Sequence, residues 1–341
     1  MHKPKKKDTI LLAVISLVVV NIVYVQKYIN GKSENKTTPF VSHQTTTPPV
    51  NEQQNKPGYN FIVQPNLTRN CETKCPDYQD QNHCRIFIFV KSLYLGIHKR
   101  NMIRSTWASV RYIEGCAFMT IFVMGNPLND TKAAVKQEML VHSDILQYDG
   151  PDDYRNITTK TLAGMHWATA NLKSEDIYIS ADDDIVIDIN KLQRAIQQFN
   201  ETRAANLWPE FPIICGLRLM KGFLPHRFTK SKWFISIDKY KWPSYPNFCL
   251  GGMYATSISV VSQLLEIAQS TRPLHLDDVW ITGILRLKLG LPDTMLVAPD
   301  HSLSVHLEGF SGMNAEQSLT KVRQYWTPIF NSLTNETCFC K

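Results

Sequence analysis

Short apolar runs alternate with amphipathic segments through the middle of the chain. Residues 86–90 and 117–123 are continuous apolar runs, which is the pattern of strands buried on both faces. Six other segments have helical periodicity, namely 99–108, 131–141, 158–171, 191–200, 257–269 and 279–289. Strands that alternate with helices predict an α/β domain with a mainly parallel central sheet flanked by helices.

The amino-terminal region has a different pattern. Residues 9–25 carry no charge and follow a cluster of lysines at positions 3, 5, 6 and 7. A cleaved signal peptide is the alternative to a membrane anchor, but residues 23–27 offer no pair of small residues for cleavage. We therefore expect a cytoplasmic tail at 1–8 and a single transmembrane signal anchor at 9–25, with the rest of the chain in the lumen.

Residues 26–83 are polar and contain few residues of the buried type, so we expect a flexible lumenal stem followed by a folded domain at 84–341. Two features agree with a lumenal location. The eight cysteines allow disulfides, and their spacing argues against the alternative of a zinc site. Six N-glycosylation sequons are predicted, at Asn35, Asn66, Asn129, Asn156, Asn200 and Asn335.

Three adjacent carboxylates stand at the centre of the chain. Asp182, Asp183 and Asp184 follow the apolar run 177–179 after two small residues and directly precede a second apolar run at 185–187. Carboxylates in this position repel one another, and a divalent cation would neutralise them; such ions are usually held by one or two carboxylates together with substrate phosphates. Ligands of α/β proteins bind at the carboxyl ends of the strands, where these aspartates fall. The alternative is an acidic surface turn.

Other polar residues accompany the aspartates. Arg100 and Arg104 lie at helical spacing and suit a diphosphate, although a solvated helix face is the alternative. Residues 245–254 place glycines among aromatic side chains, which suits either a sugar site or a tight turn. Asp277 and Asp278 precede a helical segment and could serve as acid–base groups or as its N-cap.

The order of these motifs resembles the β-1,3-glycosyltransferases of glycosyltransferase family 31. The motifs that match are I-R-S-T-W at 103–107, F-V-M-G at 122–125, the block at 138–149, Y-R-N-I-T-T-K-T at 154–161, D-D-D at 182–184, the block at 245–254 and D-D-V-W-I-T-G at 277–283. The resemblance covers residues 84–310. Leu250 and Met253 depart from the family pattern, in which serine and glycine are usual.

The resemblance implies a GT-A-type glycosyltransferase fold, a UDP-sugar donor, Mn²⁺ or another divalent cation, and a type II protein of the Golgi membrane. It implies a role for each candidate residue. The metal ligands are Asp182, Asp184 and His306, with His301 as the competing histidine; donor-binding residues are Arg100, Arg104, Asp149, Lys160 and Asp183; acceptor-binding residues are Trp242, Tyr245, Gly251 and Gly252; and the catalytic base is Asp278, with Asp277 as the alternative.

The implied reaction is the inverting transfer of a hexose or N-acetylhexosamine, with galactose favoured, to the 3-hydroxyl of a glycan acceptor. Two alternatives stay open: an inactive lumenal sugar-binding or chaperone-like relative, and a metal-dependent phosphohydrolase. We expect no nucleic-acid partner, and the possibility of a homo-oligomer stays open.

Overall fold

The apolar runs form the centre of one mixed sheet. In the computed structural model, β2 (Cys84–Lys91), β4 (Cys116–Met124), β5 (Ile145–Tyr148) and β6 (Ile177–Asp182) are parallel neighbours in the order β5-β4-β2-β6. The structure describes residues 58–67, 84–126, 133–204, 210–307, 309, 312–334 and 337–339. The prediction of a parallel sheet is confirmed for these central strands.

Antiparallel strands extend the sheet on both sides, so the whole sheet is mixed. These strands are β3 (Val110–Ile113) next to β4, β11 (Met253–Ser257) next to β6, β8 (Ile213–Cys215) next to β11, and β14 (Cys338–Phe339) next to β3. A parallel strand, β12 (Leu296–Val297), lies beside β8. Within the described residues ten strands belong to this sheet.

One strand lies inside the segment predicted as stem. Residues Phe61–Val63 form β1, which pairs antiparallel with β5. The sheet therefore takes in part of 26–83, and the assignment of that whole segment to a flexible stem is wrong at β1. A strand of three residues gives too short a pattern to stand out in a polar segment, and its pairing with β5 is a long-range contact.

Each of the six segments predicted as helical overlaps a helix, whereas the helix at Ala315–Asn331 was not predicted. The bounds of the helices are α1 Ile97–Arg104, α2 Ala133–His142, α3 Ile157–Asn171, α4 Ile189–Ala204, α5 Ile258–Gln269, α6 Arg286–Lys288 and α7 Ala315–Asn331. The segment predicted as a helix at 279–289 begins with a π-helix over Val279–Leu285, which runs directly into α6. Helices with π geometry are rare and occur often at functional sites.

Two short antiparallel pairs stand beside the main sheet. Strand β7 (Ile185–Ile187) pairs with β13 (Ser304–His306), and β9 (Leu219–Met220) pairs with β10 (Phe248–Cys249). The first pair brings the carboxyl-terminal part of the chain to the turn that follows β6. This pairing determines which histidine meets the triple aspartate.

Side chains of the central strands are buried on both faces of the sheet. In β2, Ile86, Ile88 and Val90 enter one apolar cluster, whereas Phe87 and Phe89 enter the other. Successive side chains of a strand point to opposite faces. The continuous apolar run in the sequence therefore reflects burial on both sides, and the polar residues of the site are displaced to the strand ends.

Among the cysteines that the structure describes, four form disulfides. Cys84–Cys116 joins β2 to β4, and Cys215–Cys249 joins β8 to β10. These pairs support the interpretation of the cysteines as disulfide partners and exclude these four from a zinc site. Cys71, Cys75 and Cys340 lie outside the described residues.

The predicted membrane anchor at 9–25 also lies outside the described residues. In the part of the chain that is described, no helix is both long and apolar enough to cross a membrane.

Candidate active site

The charged residues of the candidate site lie at the carboxyl ends of neighbouring strands. Lys91 ends β2 and Asp182 ends β6, and the two are opposite each other in the register of these parallel strands. Their side chains form an ion pair of 2.9 Å. The site therefore lies at the edge of the sheet where α/β proteins bind their ligands.

Each residue of the triple aspartate faces a different basic side chain. The pairs are Asp182–Lys91 at 2.9 Å, Asp183–Lys99 at 2.7 Å and Asp184–His306 at 3.5 Å. Three adjacent carboxylates are thus distributed over three partners from β2, α1 and β13. Their mutual repulsion is reduced, and the three aspartates are not equivalent.

Asp184 is the aspartate with an unused oxygen. Its Oδ1 is buried and has no hydrogen-bond partner among the described residues. Burial opposes the ionisation of this carboxyl, but the hydrogen bond and charge of His306 hold its pKa below the usual value. The same contact raises the pKa of His306. A buried carboxylate oxygen without a donor is a position that a cation can fill.

We tested whether these residues fit a divalent cation. In the described part of the chain, no three His, Cys, Asp or Glu side chains are grouped so as to hold a metal alone. Asp184 and His306 offer one oxygen and one nitrogen ligand. Mg²⁺-type sites often use one or two carboxylates and complete the shell with substrate phosphates and water. The residues fit an ion that binds together with a phosphorylated substrate.

A second acidic pair lies beside Lys91. The Oδ2 atom of Asp277 accepts hydrogen bonds from Lys91 Nζ at 2.9 Å and from Thr161 Oγ1 at 2.7 Å. Burial opposes the ionisation of Asp277, but Lys91 and Thr161 lower its pKa. Asp277 is therefore a buried, charged carboxylate whose Oδ2 has two hydrogen-bond donors.

Asp278 differs from its neighbour. Its Oδ2 accepts the backbone N–H of Gly251 at 2.8 Å, and its Oδ1 accepts the N–H of Val279 at the start of the π-helix. Burial, followed by the negative charge of Asp277, raises the pKa of Asp278 to about 7. A carboxyl with a pKa near the operating pH suits a general base.

The two predicted glycines hold these aspartates in place. A Cβ atom at Gly251 would lie 3.0 Å from Oδ2 of Asp278, so glycine permits that contact. Gly252 has a φ of +111°, and its carbonyl accepts the backbone N–H of Asp182 at 2.8 Å. Both glycines thus position acidic residues. Their role in contacting a sugar stays a prediction.

Comparison with known proteins agrees with this geometry. A family model described as galactosyltransferase matches residues 98–296, which is more than half of the chain. The chain belongs to the galactosyltransferase family. The match includes the triple aspartate, the glycines and the Asp277–Asp278 pair.

Individual relatives carry the same family name or a related one. Lactosylceramide 1,3-N-acetyl-beta-D-glucosaminyltransferase B of Danio rerio is 30% identical over 221 residues, which cover 62% of this chain and 55% of the relative. Human beta-1,3-galactosyltransferase 5 is 31% identical over 203 residues, covering 58% and 61%. The chain thus spans between about half and two thirds of these relatives' length. Among solved structures, the galactosyltransferase LgtC has a TM-score of 0.34 at 10% identity, covering 73% of this chain and 96% of that one.

The arginines of the I-R-S-T-W region are not in the site, so their assignment as donor-binding residues is wrong. All five N–H groups of Arg100 are used inside the protein, by Glu138, Ser92 and the carbonyls of Leu93 and Tyr94. Its side chain is fully buried. A guanidinium group with no remaining donor cannot bind a diphosphate.

Arg104 is engaged in the same way. Its guanidinium forms two hydrogen bonds to Asp144, at 2.8 and 2.7 Å, and a third to Glu138 at 2.7 Å. Burial opposes the ionisation of Glu138, but Arg100 and Arg104 hold its pKa below the usual value. These residues connect α1 to α2 and to the start of β5, and their role is structural.

The remaining donor-binding candidates differ in their contacts. Lys160 is buried, and its Nζ lies 2.7 Å from Asp152 and 2.6 Å from the carbonyl of Ser92. It joins α3 to the loop that follows β5, and two of its three donors are used. Asp149 is exposed at the end of β5 and accepts a hydrogen bond from Asn126. A direct donor contact stays a prediction for both residues.

The two aromatic acceptor-binding candidates differ in their exposure to solvent. Tyr245 is buried, which raises its pKa to about 12, and its ring packs 5.0 Å from that of Tyr240. This burial contradicts its assignment to the acceptor surface, because a ring enclosed in the core offers no face to a sugar. Trp242 is 59% exposed and keeps that role as a prediction.

Three predicted sequons fall within the described residues. Asn66 is exposed, and Asn200 is half-buried in α4. Asn156 is half-buried, and its Nδ2 donates to Asp153 at 2.8 Å, so the atom that would carry a glycan is already engaged. Asn35, Asn129 and Asn335 lie outside the described residues.

Lys91 and Thr161 are the site residues that the motifs did not assign. Thr161 ends the Y-R-N-I-T-T-K-T motif, and Lys91 directly follows the apolar run of β2. For Lys91 the sequence did contain a signal, a charged residue at the carboxyl end of a buried strand. The same signal identified Asp182.

Proposed function

We propose that this protein is an inverting UDP-sugar-dependent β-1,3-glycosyltransferase. It transfers a hexose or N-acetylhexosamine, with galactose favoured, to the 3-hydroxyl of a protein-linked or lipid-linked glycan. The observation that carries the proposal is Asp278, a half-buried carboxyl whose Oδ2 accepts the N–H of Gly251 and whose pKa is raised to about 7. The names of the relatives support the same reaction class.

Asp278 acts as the general base. A UDP-sugar has an α bond to its leaving group, so a β product requires that the acceptor hydroxyl attack from the opposite face. Asp278 takes the proton of this hydroxyl as the new bond forms and UDP leaves. Its two backbone hydrogen bonds fix the direction of the carboxyl, and its raised pKa keeps the proton affinity high enough for transfer.

Asp184 and His306 hold a divalent cation, with Mn²⁺ as the expected ion. The unpaired Oδ1 atom of Asp184 and the nearby imidazole support this assignment. When bound, the cation supplies positive charge to the diphosphate of the leaving UDP. Asp182 and Asp183 stabilise the donor side of the site through their ion pairs with Lys91 and Lys99.

Exposed aromatic rings near the carboxylates form the acceptor side. Tyr154 is 47% exposed, and its pKa is raised by burial and then by Asp182, Asp277 and Asp278. Lys232 lies 6.0 Å from the ring of Tyr154 and 4.7 Å from that of Trp233. Rings with an exposed face suit the apolar side of a sugar. This rim extends the predicted acceptor surface beyond Trp242.

The enzyme works in the Golgi lumen, anchored by residues 9–25 as a type II membrane protein. The uncharged segment after the lysine cluster, the sequons and the two disulfides support this location. Protease digestion of sealed microsomes tests it, because a lumenal domain is protected until detergent is added.

A panel of UDP-sugars with simple β-linked acceptors and Mn²⁺ tests the reaction. We expect one donor to be transferred and a β-1,3 linkage in the product, with the Asp278→Asn variant as the matched control. If UDP-sugar is hydrolysed and no acceptor is extended, the acceptor part of the proposal fails. If UDP and UDP-sugars neither bind nor react, the protein is an inactive relative.

A further inference from the structure

Two acidic groups from distant parts of the chain meet at one lysine. Lys91 Nζ lies 2.9 Å from Asp182 Oδ1 and 2.9 Å from Asp277 Oδ2. Its side chain is 7% exposed. Burial opposes the charge of this lysine, but the two carboxylates raise its pKa well above the usual value. The lysine is therefore a fixed cation between the donor side and the acceptor side of the proposed site.

The contacts of Lys91 are part of a closed ring of hydrogen bonds and ion pairs through the candidate site. Asp182 donates its backbone N–H to the carbonyl of Gly252, and the N–H of Gly251 donates to Asp278. Asp277, which precedes Asp278, returns to Lys91. The strand end that carries the triple aspartate and the π-helix start that carries the base are thus joined twice, by the glycines and by the lysine.

We infer that Lys91 is a positioning residue that sets the separation between the donor-side aspartates and Asp278. The inference rests on the proposed function. Lys91 also divides the carboxylates by role, because it engages Asp182 and Asp277 and leaves Asp184 and Asp278 for the reaction. Without the lysine, Asp182 and Asp277 would repel each other and the two sides of the site would move apart.

The opposite end of the same two strands provides a matched comparison. Arg85, near the start of β2, forms an ion pair with Asp176, directly before β6. This pair also joins β2 to β6 and is also partly buried. It lies far from the carboxyl edge of the sheet, so its loss affects stability without moving the reacting groups.

The experiment compares Lys91→Met with Arg85→Met in the full chain. We measure UDP affinity with Mn²⁺ by calorimetry and stability by thermal unfolding. We measure kcat and KM with the donor that the panel of UDP-sugars identifies. Lys91→Met is expected to lower kcat about 10- to 100-fold, the size expected for a misplaced reacting group. UDP affinity should stay within about threefold, because the loss concerns orientation of the base. Arg85→Met is expected to lower stability and leave kcat per folded molecule unchanged.

A second variant keeps the test valid if Lys91→Met fails to fold. Lys91→Met combined with Asp277→Asn removes a buried positive and a buried negative charge together, so folding should return while kcat stays low. The inference is overturned if Lys91→Met keeps wild-type kcat, if kcat and UDP affinity fall together, or if the double variant recovers kcat with folding. Absence of UDP binding and transfer in the wild-type protein would instead contradict the proposed function.

Discussion

Two clusters of charged residues in this protein have opposite uses. The arginine cluster consists of Arg100, Arg104, Glu138 and Asp144. The aspartate cluster consists of Lys91, Asp182, Asp184, Asp277 and Asp278. Both lie beside the central strands, and each includes residues from sequence motifs that resemble those of glycosyltransferases.

The balance of charge separates the clusters. Two guanidinium groups face two carboxylates in the arginine cluster, and every N–H of Arg100 has an acceptor. The aspartate cluster has one lysine, a buried carboxylate oxygen without a donor in Asp184, and a carboxyl pKa of about 7 in Asp278. A compensated cluster holds helices and strands together, whereas an uncompensated one retains capacity for a ligand and a proton.

Replacing Asp184 should have the largest effect on transfer. In Asp184→Ala, Mn²⁺-dependent UDP binding and sugar transfer should be lost, because the cation loses its carboxylate ligand. Stability should fall slightly, because the hydrogen bond and charge of His306, which hold the pKa of Asp184 below its usual value, make its ionised carboxyl favourable in the folded protein. Calorimetry with UDP and Mn²⁺ and a denaturation curve check both parts. Glu175→Ala, an exposed carboxylate before β6, is the control. Full activity of Asp184→Ala at ordinary Mn²⁺ concentration would contradict the assignment.

Replacing Asp278 should have the next largest effect. Asp278→Asn preserves the size of the side chain but cannot accept the proton at neutral pH, so kcat should fall about 10²- to 10⁴-fold. UDP affinity should persist, because Asp184 and His306 are unchanged. Both values are measured on one preparation. Normal turnover would remove Asp278 from the role of base, and loss of UDP binding together with folding would assign it to the structure.

The pH dependence should show a smaller and graded effect. The base is active when ionised, so kcat/KM should decrease about tenfold for each pH unit below 7.

For the stability of the fold, the pH dependence should have the opposite sign. The folded pKa of about 7 lies above the ordinary aspartate value of 3.8, so Asp278 contributes stability below about pH 4 that is lost as the pH rises to about 7. Asp278→Asn should therefore gain stability relative to wild type across this interval, as measured by denaturation at several pH values; an unchanged difference would contradict the raised pKa.

Breaking the arginine cluster should leave turnover unchanged. Arg100→Met leaves buried Glu138 with one guanidinium partner, so the free energy of unfolding should fall by about 3 kcal/mol or more. Turnover per folded molecule should equal that of wild type. Denaturant titration and active-site counting measure the two quantities. Lys191→Met, which breaks an exposed pair with Asp188, is the control and should cost about 1 kcal/mol or less. A specific loss of UDP affinity in Arg100→Met would return this arginine to the donor site.

The sequence alone determined the frame of the molecule. Apolar runs predicted the central strands and placed Asp182 at the carboxyl end of β6, because burial on both faces of a sheet requires uninterrupted apolar residues. The helical segments up to residue 289 were predicted from their periodicity, which reflects one buried face, whereas α7 was not predicted. The π geometry of Val279–Leu285 and the three-residue strand β1 were not predicted, because neither has a distinct local pattern.

Only the tertiary structure decided which charged residues work together. Helical spacing showed that Arg100 and Arg104 share a face but not that this face meets Glu138, which is 38 residues from Arg100. Lys91 and Asp277 are 186 residues apart and meet through the pairing of β2 with β6 and the packing of α3. The local sequence pattern predicts whether a side chain is buried. Contacts between distant segments determine which partner neutralises its charge. These contacts distinguish the structural arginines of this protein from its reactive carboxylates.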